Sequence, residues 1–191
     1  MRALLRLGRF PRRDRSPRRG RSPRRGRPPA EVVRLLDPAE RVTGWAELSD
    51  GGYAVATPLG LWLDAARIPW HLIDKATWDA PRLALTVAVE GAAVDGATAL
   101  VEQPPRTLTL AVPRNLPKEV RDRVTRSVRH SAHHALAPRG GVWVVARRIA
   151  GQDGLAWQVR FDPDTDPDDP LLREQVTRLL DAARQALTPV V

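Results

Sequence analysis

Residues 72–89 read LIDKATWDAPRLALTVAV. In the second half, Arg82–Val89, Leu83, Leu85, Val87 and Val89 fall on one face, the period-two mark of a half-buried strand. The first half puts Leu72, Asp74, Ala76 and Trp78 on one side, and Asp79-Ala80-Pro81 turns the chain between them. Two alternating segments joined by a tight turn predict an antiparallel pair.

Upstream of it the same period continues. Arg41–Leu48 predicts a strand with Val42 and Trp45 facing inward, Ser49-Asp50-Gly51-Gly52 a hairpin turn, and Tyr53–Thr57 its return strand. Leu59–Leu63 and Arg67–Trp70 add two more strands around a turn at Asp64-Ala65-Ala66. Downstream, residues 90–106 read as loop, with Thr98–Val101 as a candidate strand, and Thr107–Val112 is a strand. Asn115 and Pro117 then open a helix that the pattern carries to about Leu136. Val120, Val124, Val128, Ala132 and Ala135 form its apolar side, opposite a basic face of Arg123, Arg126, Arg129, His130 and His133. Val142–Ile149 and Leu155–Phe161 form a hairpin. A last helix runs from about Pro170 to Leu187, with Leu172, Val176, Leu179, Ala183 and Ala186 as its stripe. Strands followed by helices predict an α+β fold built on an antiparallel meander, without parallel βαβ units.

Charge divides the chain. Of the 191 residues and a net charge of +9, residues 1–29 hold twelve arginines against Asp14, hence +11, leaving −2 for the rest. The high isoelectric point therefore belongs to the head and does not make the remainder a basic nucleic-acid-binding domain. Arg-Ser-Pro-Arg-Arg-Gly occurs at 15–20 and again at 21–26. Such a Pro-rich, unopposed charge run reads as disordered. Its low complexity favours a dispensable tail or an upstream extension of the gene; in the competing reading Arg12, Arg13, Arg18, Arg19, Arg24 and Arg25 are candidate polyanion contacts, for non-specific nucleic acid. The domains predicted are a head (1–30), an α+β domain (31–138) and a hairpin-plus-helix extension packed on it (139–191).

Residues 162–169 carry five aspartates, at 162, 164, 166, 168 and 169. Counted as a calcium loop from Asp162, position 6 is Pro167 and position 12 is Arg173, where glycine and glutamate are needed. The loop reads instead as acidic chain leading into the last helix, and its −5 complements the +11 of the head. His130 and His134 could share a helix face, but no carboxylate or cysteine stands at a matching spacing, so no metal or other cofactor is expected. Nucleophile-elbow, zincin, P-loop and dinucleotide motifs are absent. The chain reads as non-enzymatic, with an enzyme of unrecognised class as an alternative. With no cysteine, no secretory apolar segment and no run of about 20 apolar residues, it is expected to be cytoplasmic and without a membrane span. Six tryptophans supply core volume, and Trp70-His71 is the least core-like pair. Trp70, His71, Arg123, Arg126 and Arg129 are the candidate interaction surface for a protein partner.

Tyr53–Thr57, Leu61-Trp62-Leu63, Arg67-Ile68-Pro69-Trp70 and Leu72-Ile73-Asp74 together resemble the first strands of a bacterial pleckstrin-homology-like (GRAM-like) domain. That resemblance implies a partial barrel closed by the helix from 117, serving as an interaction module; the later hairpin and helix lie beyond it. Gly44-Trp45, Gly51-Gly52-Tyr53, RIPWHLIDKATWD (67–79) and FDPDTDPDDP (161–170) are also similar to a group of actinobacterial proteins, a likeness that implies no activity.

Overall fold

The computed structural model describes residues 28–187 apart from Leu35 and Ala39. The fold is mixed α+β. A short helix α1 (Ala30–Arg34) precedes β1 (Gly44–Leu48), β2 (Tyr53–Ala56), β3 (Gly60–Leu63) and β4 (Ala66–Pro69). A 3-10 turn at Trp70–Leu72 leads to β5 (Ile73–Asp79), β6 (Arg82–Val94), β7 (Ala97–Glu102) and β8 (Arg106–Val112). Helix α2 (Leu116–Ser127), β9 (Val128–Ala135), β10 (Gly141–Arg147), β11 (Ala156–Phe161) and α3 (Pro170–Leu187) complete the chain. The described residues fall into two compact units, 28–87 with 104–125, and 88–103 with 126–187.

In the first unit the strands run in the order β4-β3-β2-β1-β8-β6-β5, every pair antiparallel. The order is open, so the expected barrel closure is replaced by a sheet with ends. Ala46, Ala54, Leu61, Leu83, Leu85 and Leu110 build its core, and α2 adds Leu116, Val120 and Val124. Trp45 pairs with Val55 on the other face and packs with Val32 and Leu36, so it is buried in a satellite cluster beside α1. The Arg114 guanidinium lies 3.9 Å from the Trp45 ring centre. A bulge between Ile73 and Lys75 changes the inward set of β5 from Leu72 and Asp74 to Ile73 and Ala76, because one extra residue reverses the alternation. On β6, Leu83 and Leu85 are buried, Val89 on the same face is 47% exposed, and Ala88 is buried on the opposite face.

The Glu40 side chain in this unit is only 1% exposed. It accepts a 2.8 Å hydrogen bond from Trp62 Nε1 and pairs with Arg67. Burial alone would raise its carboxyl, but hydrogen bonds from Thr57, Trp62 and Arg67, with the Arg67 charge, hold it below the usual 4.5. The Thr57 hydroxyl also donates to the Gly60 carbonyl at 3.2 Å and accepts from the Leu59 and Gly60 amides at 3.2 Å.

The second unit runs β6-β7-β11-β10-β9. β7 and β11 are parallel and the other pairs antiparallel. Residues 90–106, read as loop, instead hold the end of β6, all of β7 and the start of β8. Asp95-Gly96, both at positive φ, makes the two-residue turn between β6 and β7. The helix carried to Leu136 stops at Ser127, and β9 pairs with β10 from Val128 to Ala135. Val, Ser and His are mediocre helix formers, and the β10 edge pairs with every backbone group that faces it. Arg129 and all three histidines of this stretch are therefore strand residues. Val142, Val144 and Val159 meet Leu172, Val176, Leu180 and Ala183 of α3 in the second core. Arg173 donates to the Ala93 carbonyl at 3.1 Å and Arg184 to Asp95 Oδ2 at 2.6 Å. The two arginines stand three helical turns apart and pin one face of α3 to the β6–β7 hairpin.

Two predictions follow from these elements. Amide exchange over 128–135 alternates between slow and fast, because an edge strand bonds its partner at every second residue. Uniform protection there would restore the helix. Glu40→Gln lowers stability at pH 7 by about 1–3 kcal/mol in urea unfolding, as Arg67 loses its counter-charge. A carboxyl depressed in the folded state stabilises above its unfolded value near 4.5 and loses that contribution as pH falls through the folded value. The gap between the two stability curves therefore narrows below pH 4.5.

Candidate functional site

The parallel register of β7 and β11 holds for two pairs, Thr98 with Gln158 and Ala99 with Val159. Beyond it lies a cleft of about 560 Å³ in the second unit, lined by Leu100–Glu102 of β7 and Arg160–Phe161 of β11. The β6 strand contributes Gly91 and Ala92 at a bulge, where two residues oppose Ala99 alone. The lining comes from both faces of the sheet. Val94 and Ala99 belong to the core shared with α3. Trp143 and Arg160 are cross-strand partners, one residue out of phase with Val142, Val144 and Val159, and so project from the opposite face. The opening therefore runs between β7 and β11 where they part.

Arg160 is 8% exposed and donates to Glu102 Oε1 at 3.2 Å. Burial pushes its guanidinium down to about 10, so it remains charged at neutral pH. Trp143 carries His133 beside it, ring centres 5.1 Å apart, and His133 Nε2 lies 2.8 Å from Asp162 Oδ2. The acidic loop from Asp162 to Asp169 forms the rim. Thr165 is buried, and its hydroxyl accepts from the Gly141 amide at 2.9 Å and donates to the Gly141 carbonyl at 3.2 Å. The Asp162 amide donates to that same carbonyl at 2.9 Å. A β-carbon at Gly141 would push aside the ends of two partly exposed side chains, Asp162 Oδ2 and His133 Nε2, and so part the pair they make. Asp166 Oδ1 receives the Asp168 amide, and Asp169 Oδ1 receives the Leu171 amide as the cap of α3. Arg173 reaches Asp168 at 3.4 Å and the Pro167 carbonyl at 3.5 Å.

The arrangement suits recognition of a cation-bearing, extended ligand. Its two arginines pair with two of its carboxylates, Glu102 and Asp168, and the third, Asp162, is bonded to His133. Three carboxylates line the cleft, at Glu102, Asp162 and Asp168. Trp143 and Phe161 are half-buried there and can stack on a guanidinium. Val101 stands 55% exposed at the mouth.

The residues singled out from sequence scatter. Trp70 is in the first core at 6% exposure, its indole donating to the Thr57 carbonyl at 3.0 Å, because the chain turns inward after Pro69. It offers no surface, while His71 beside it is half-buried. Arg123 pairs along α2 with Glu119 at 2.9 Å, Arg126 is exposed near the end of the same helix, and Arg129 is exposed on β9. None of them lines the cleft. Arg12, Arg13, Arg18, Arg19, Arg24 and Arg25 lie outside the described residues. His130 and His134 are four residues apart on a strand, about 13 Å, too far to share an ion. No metal-binding cluster occurs among the described residues, and no described helix is long and apolar enough to cross a membrane. Burial, with the charges of His130 and His133, holds His134 below its ordinary 6.5. Of the cleft residues, Asp162 and Asp168 belong to the aspartate run legible in the sequence; those of β6 and β7 were missed, although Asp95-Gly96 was a legible turn signal for the hairpin that walls it.

No family model, no curated protein and no solved structure matches this chain.

Gly141→Ala separates His133 from Asp162 and loosens the rim. The expected cost is at most about 1 kcal/mol in urea unfolding, since both displaced atoms end partly exposed side chains that can move. The Trp143 indole proton shifts in the NMR spectrum as His133 moves off its ring. A variant with unchanged stability and an unchanged indole resonance would refute this role for the glycine.

Proposed function

We propose that the protein is a non-enzymatic interaction module whose second unit holds an extended, basic peptide segment in the cleft between β7 and β11. The observation that carries this reading is the parting of two parallel strands after two register pairs, which leaves Leu100–Glu102 with β6 as their paired strand on one side alone. A strand edge of this kind accepts an extended chain through backbone hydrogen bonds, while pockets beside it read the side chains. The rim favours positive charge: Asp164, Asp166 and Asp168 are exposed. In support of the pleckstrin-homology-like resemblance, the first unit is an all-antiparallel open sheet, ordered β4-β3-β2-β1-β8-β6-β5, with α2 packed on its core.

A second reading rests on the +11 charge of residues 1–29, which favours polyanions such as nucleic acid. It predicts retention on heparin that falls steeply with salt.

The cleft reading is tested by NMR titration of the full chain with an arginine-rich dodecapeptide and with its glutamate-rich counterpart. The basic peptide is expected to move resonances of Leu100–Glu102, the Trp143 indole and the Asp162–Asp168 rim. Trp143→Ala is expected to weaken the binding about tenfold, the scale of about 1–2 kcal/mol for a desolvated cation–π contact. Equal response to the acidic peptide, or shifts confined to other surfaces, would sink the proposal.

A further inference from the structure

We infer that the second unit self-associates through β9, a second copy of the chain laying its own β9 antiparallel to the first across a two-fold axis at Ser131. β9 ends its sheet: among the described residues it pairs with β10 alone. An edge of this kind offers backbone donors and acceptors to another strand unless the chain blunts it. The two sheet ends of the first unit are blunted. β4 is four residues long, carries Arg67 and ends in Pro69. β5 is interrupted by its bulge and shows an exposed Lys75. β9, in contrast, keeps an unbroken register with β10 from His130 to Ala135. It holds no proline and no lysine, and the small Ser131 and Ala132 stand at its middle.

Charge along the strand selects a second copy as the occupant. Of the net +7 between residues 114 and 148, +5 falls within this unit, on the five arginines from Arg126 to Arg148. Arg129 at the start of β9 and Arg148 just after β10 are exposed at one end of the strand pair, where the Arg148 amide donates to the Ser127 carbonyl at 2.8 Å. Asp153 in the following loop is the nearest acid in sequence. At the other end His133 is bonded to Asp162, the first of five aspartates, against which stand Arg139 and Arg173. An antiparallel copy sets the basic end of one β9 beside the acidic end of the other, and the two-fold axis makes that contact twice. Opposite residues on antiparallel strands share a face, so an axis at Ser131 puts Arg129 of one copy across from His133 of the other. The Asp162 carboxylate held by that histidine is then within reach of the guanidinium. An axis at Ala132 would instead set Arg129 against Ala135 and His130 against His134, with no opposite charge met. A strand edge of eight residues makes a small, reversible interface. The pairing stands independently of the cleft's occupant, but Asp162 also lines the cleft, so the second copy's Arg129 adds a cation at its rim.

The experiment is sedimentation velocity of the full chain at low salt, from about 10 μM to about 1 mM, the range in which a small interface forms and dissociates. The mass is expected to rise from one copy to two. Full-length Arg129→Asp sets two carboxylates against each other at both contacts and is expected to weaken association about tenfold or more. Asp162→Arg sets two guanidinium groups against each other, with the same result. Mixed one to one, the two variants meet with opposite charges at both contacts, and association returns to the strength of the natural chain. Amide exchange reads the same pairing without a substitution. In the natural chain the fast amides of 128–135 slow as concentration rises and recover on dilution, whereas a helix there stays protected at every concentration. A single-copy mass at about 1 mM overturns the inference. So does a dimer that Arg129→Asp leaves as strong, or a mixture of the two variants that associates no better than either alone. Exchange over 128–135 that is unchanged while the mass doubles places the contact on another surface and overturns it too.

Discussion

Strand β6 has pairing obligations that change along its length, and much else follows from them. From Arg82 to Leu85 it lies between β5 and β8, its pairing with β5 continues to Val87, and from Ala88 onward it pairs with β7. Leu83 and Leu85 belong to one core and Val94 to another. Its alternation breaks where Gly91-Ala92 bulges opposite Ala99. Before that bulge Ala88 is buried on the face opposite Leu83 and Leu85. The bulge stands beside the end of the β7–β11 register, and Gly91 and Ala92 line the cleft there.

Most of this fold was legible because most of its elements are local. Strands at 44–48, 53–56, 60–63, 66–69 and 106–112, the 141–161 hairpin and the last helix stand within a few residues of their expected places. Each is bounded by its own turn chemistry. β9 was misread for a reason of arithmetic. Val120, Val124, Val128 and Ala132 recur every four residues, and four is close to one helical turn and also twice the strand period. The spacing is identical evidence for both, and the partner that decides between them, β10, lies beyond the turn. The site was less legible still. A parallel pair between residues 98–99 and 158–159 leaves no local signature, since neither strand carries in its own alternation the identity of a neighbour sixty residues away. Trp70 shows the reverse error: beside a histidine and after a proline it looked superficial, yet its indole satisfies a buried carbonyl.

The acidic loop shows how sequence composition and local geometry divide the work. Five aspartates in eight residues invite a metal reading, but each carboxylate with a described bond is committed to a proton donor. Asp162 holds His133, Asp166 and Asp169 cap backbone amides, and Asp168 meets Arg173. Those bonds turn the side chains toward their own loop and fix the backbone, leaving a negative surface that is shaped rather than chelating. A shaped negative surface discriminates by charge and form, while a chelating one needs several carboxylates converging on one point.

Gly141 links that surface to the rest of the unit. Its amide and carbonyl are both satisfied by the loop, through Thr165 and Asp162, while its missing side chain leaves room for the His133–Asp162 pair. The same strand carries Trp143 two residues on, the aromatic wall of the cleft. Rim, aromatic wall and β9 histidine are thus anchored on three consecutive residues of β10, which is a central strand of its sheet and paired on both edges. A binding surface on a loop is as rigid as its attachment, and here the attachment is a fully paired strand. That rigidity lowers the ordering cost of binding an extended, highly charged segment, which must give up its own conformational freedom when it docks.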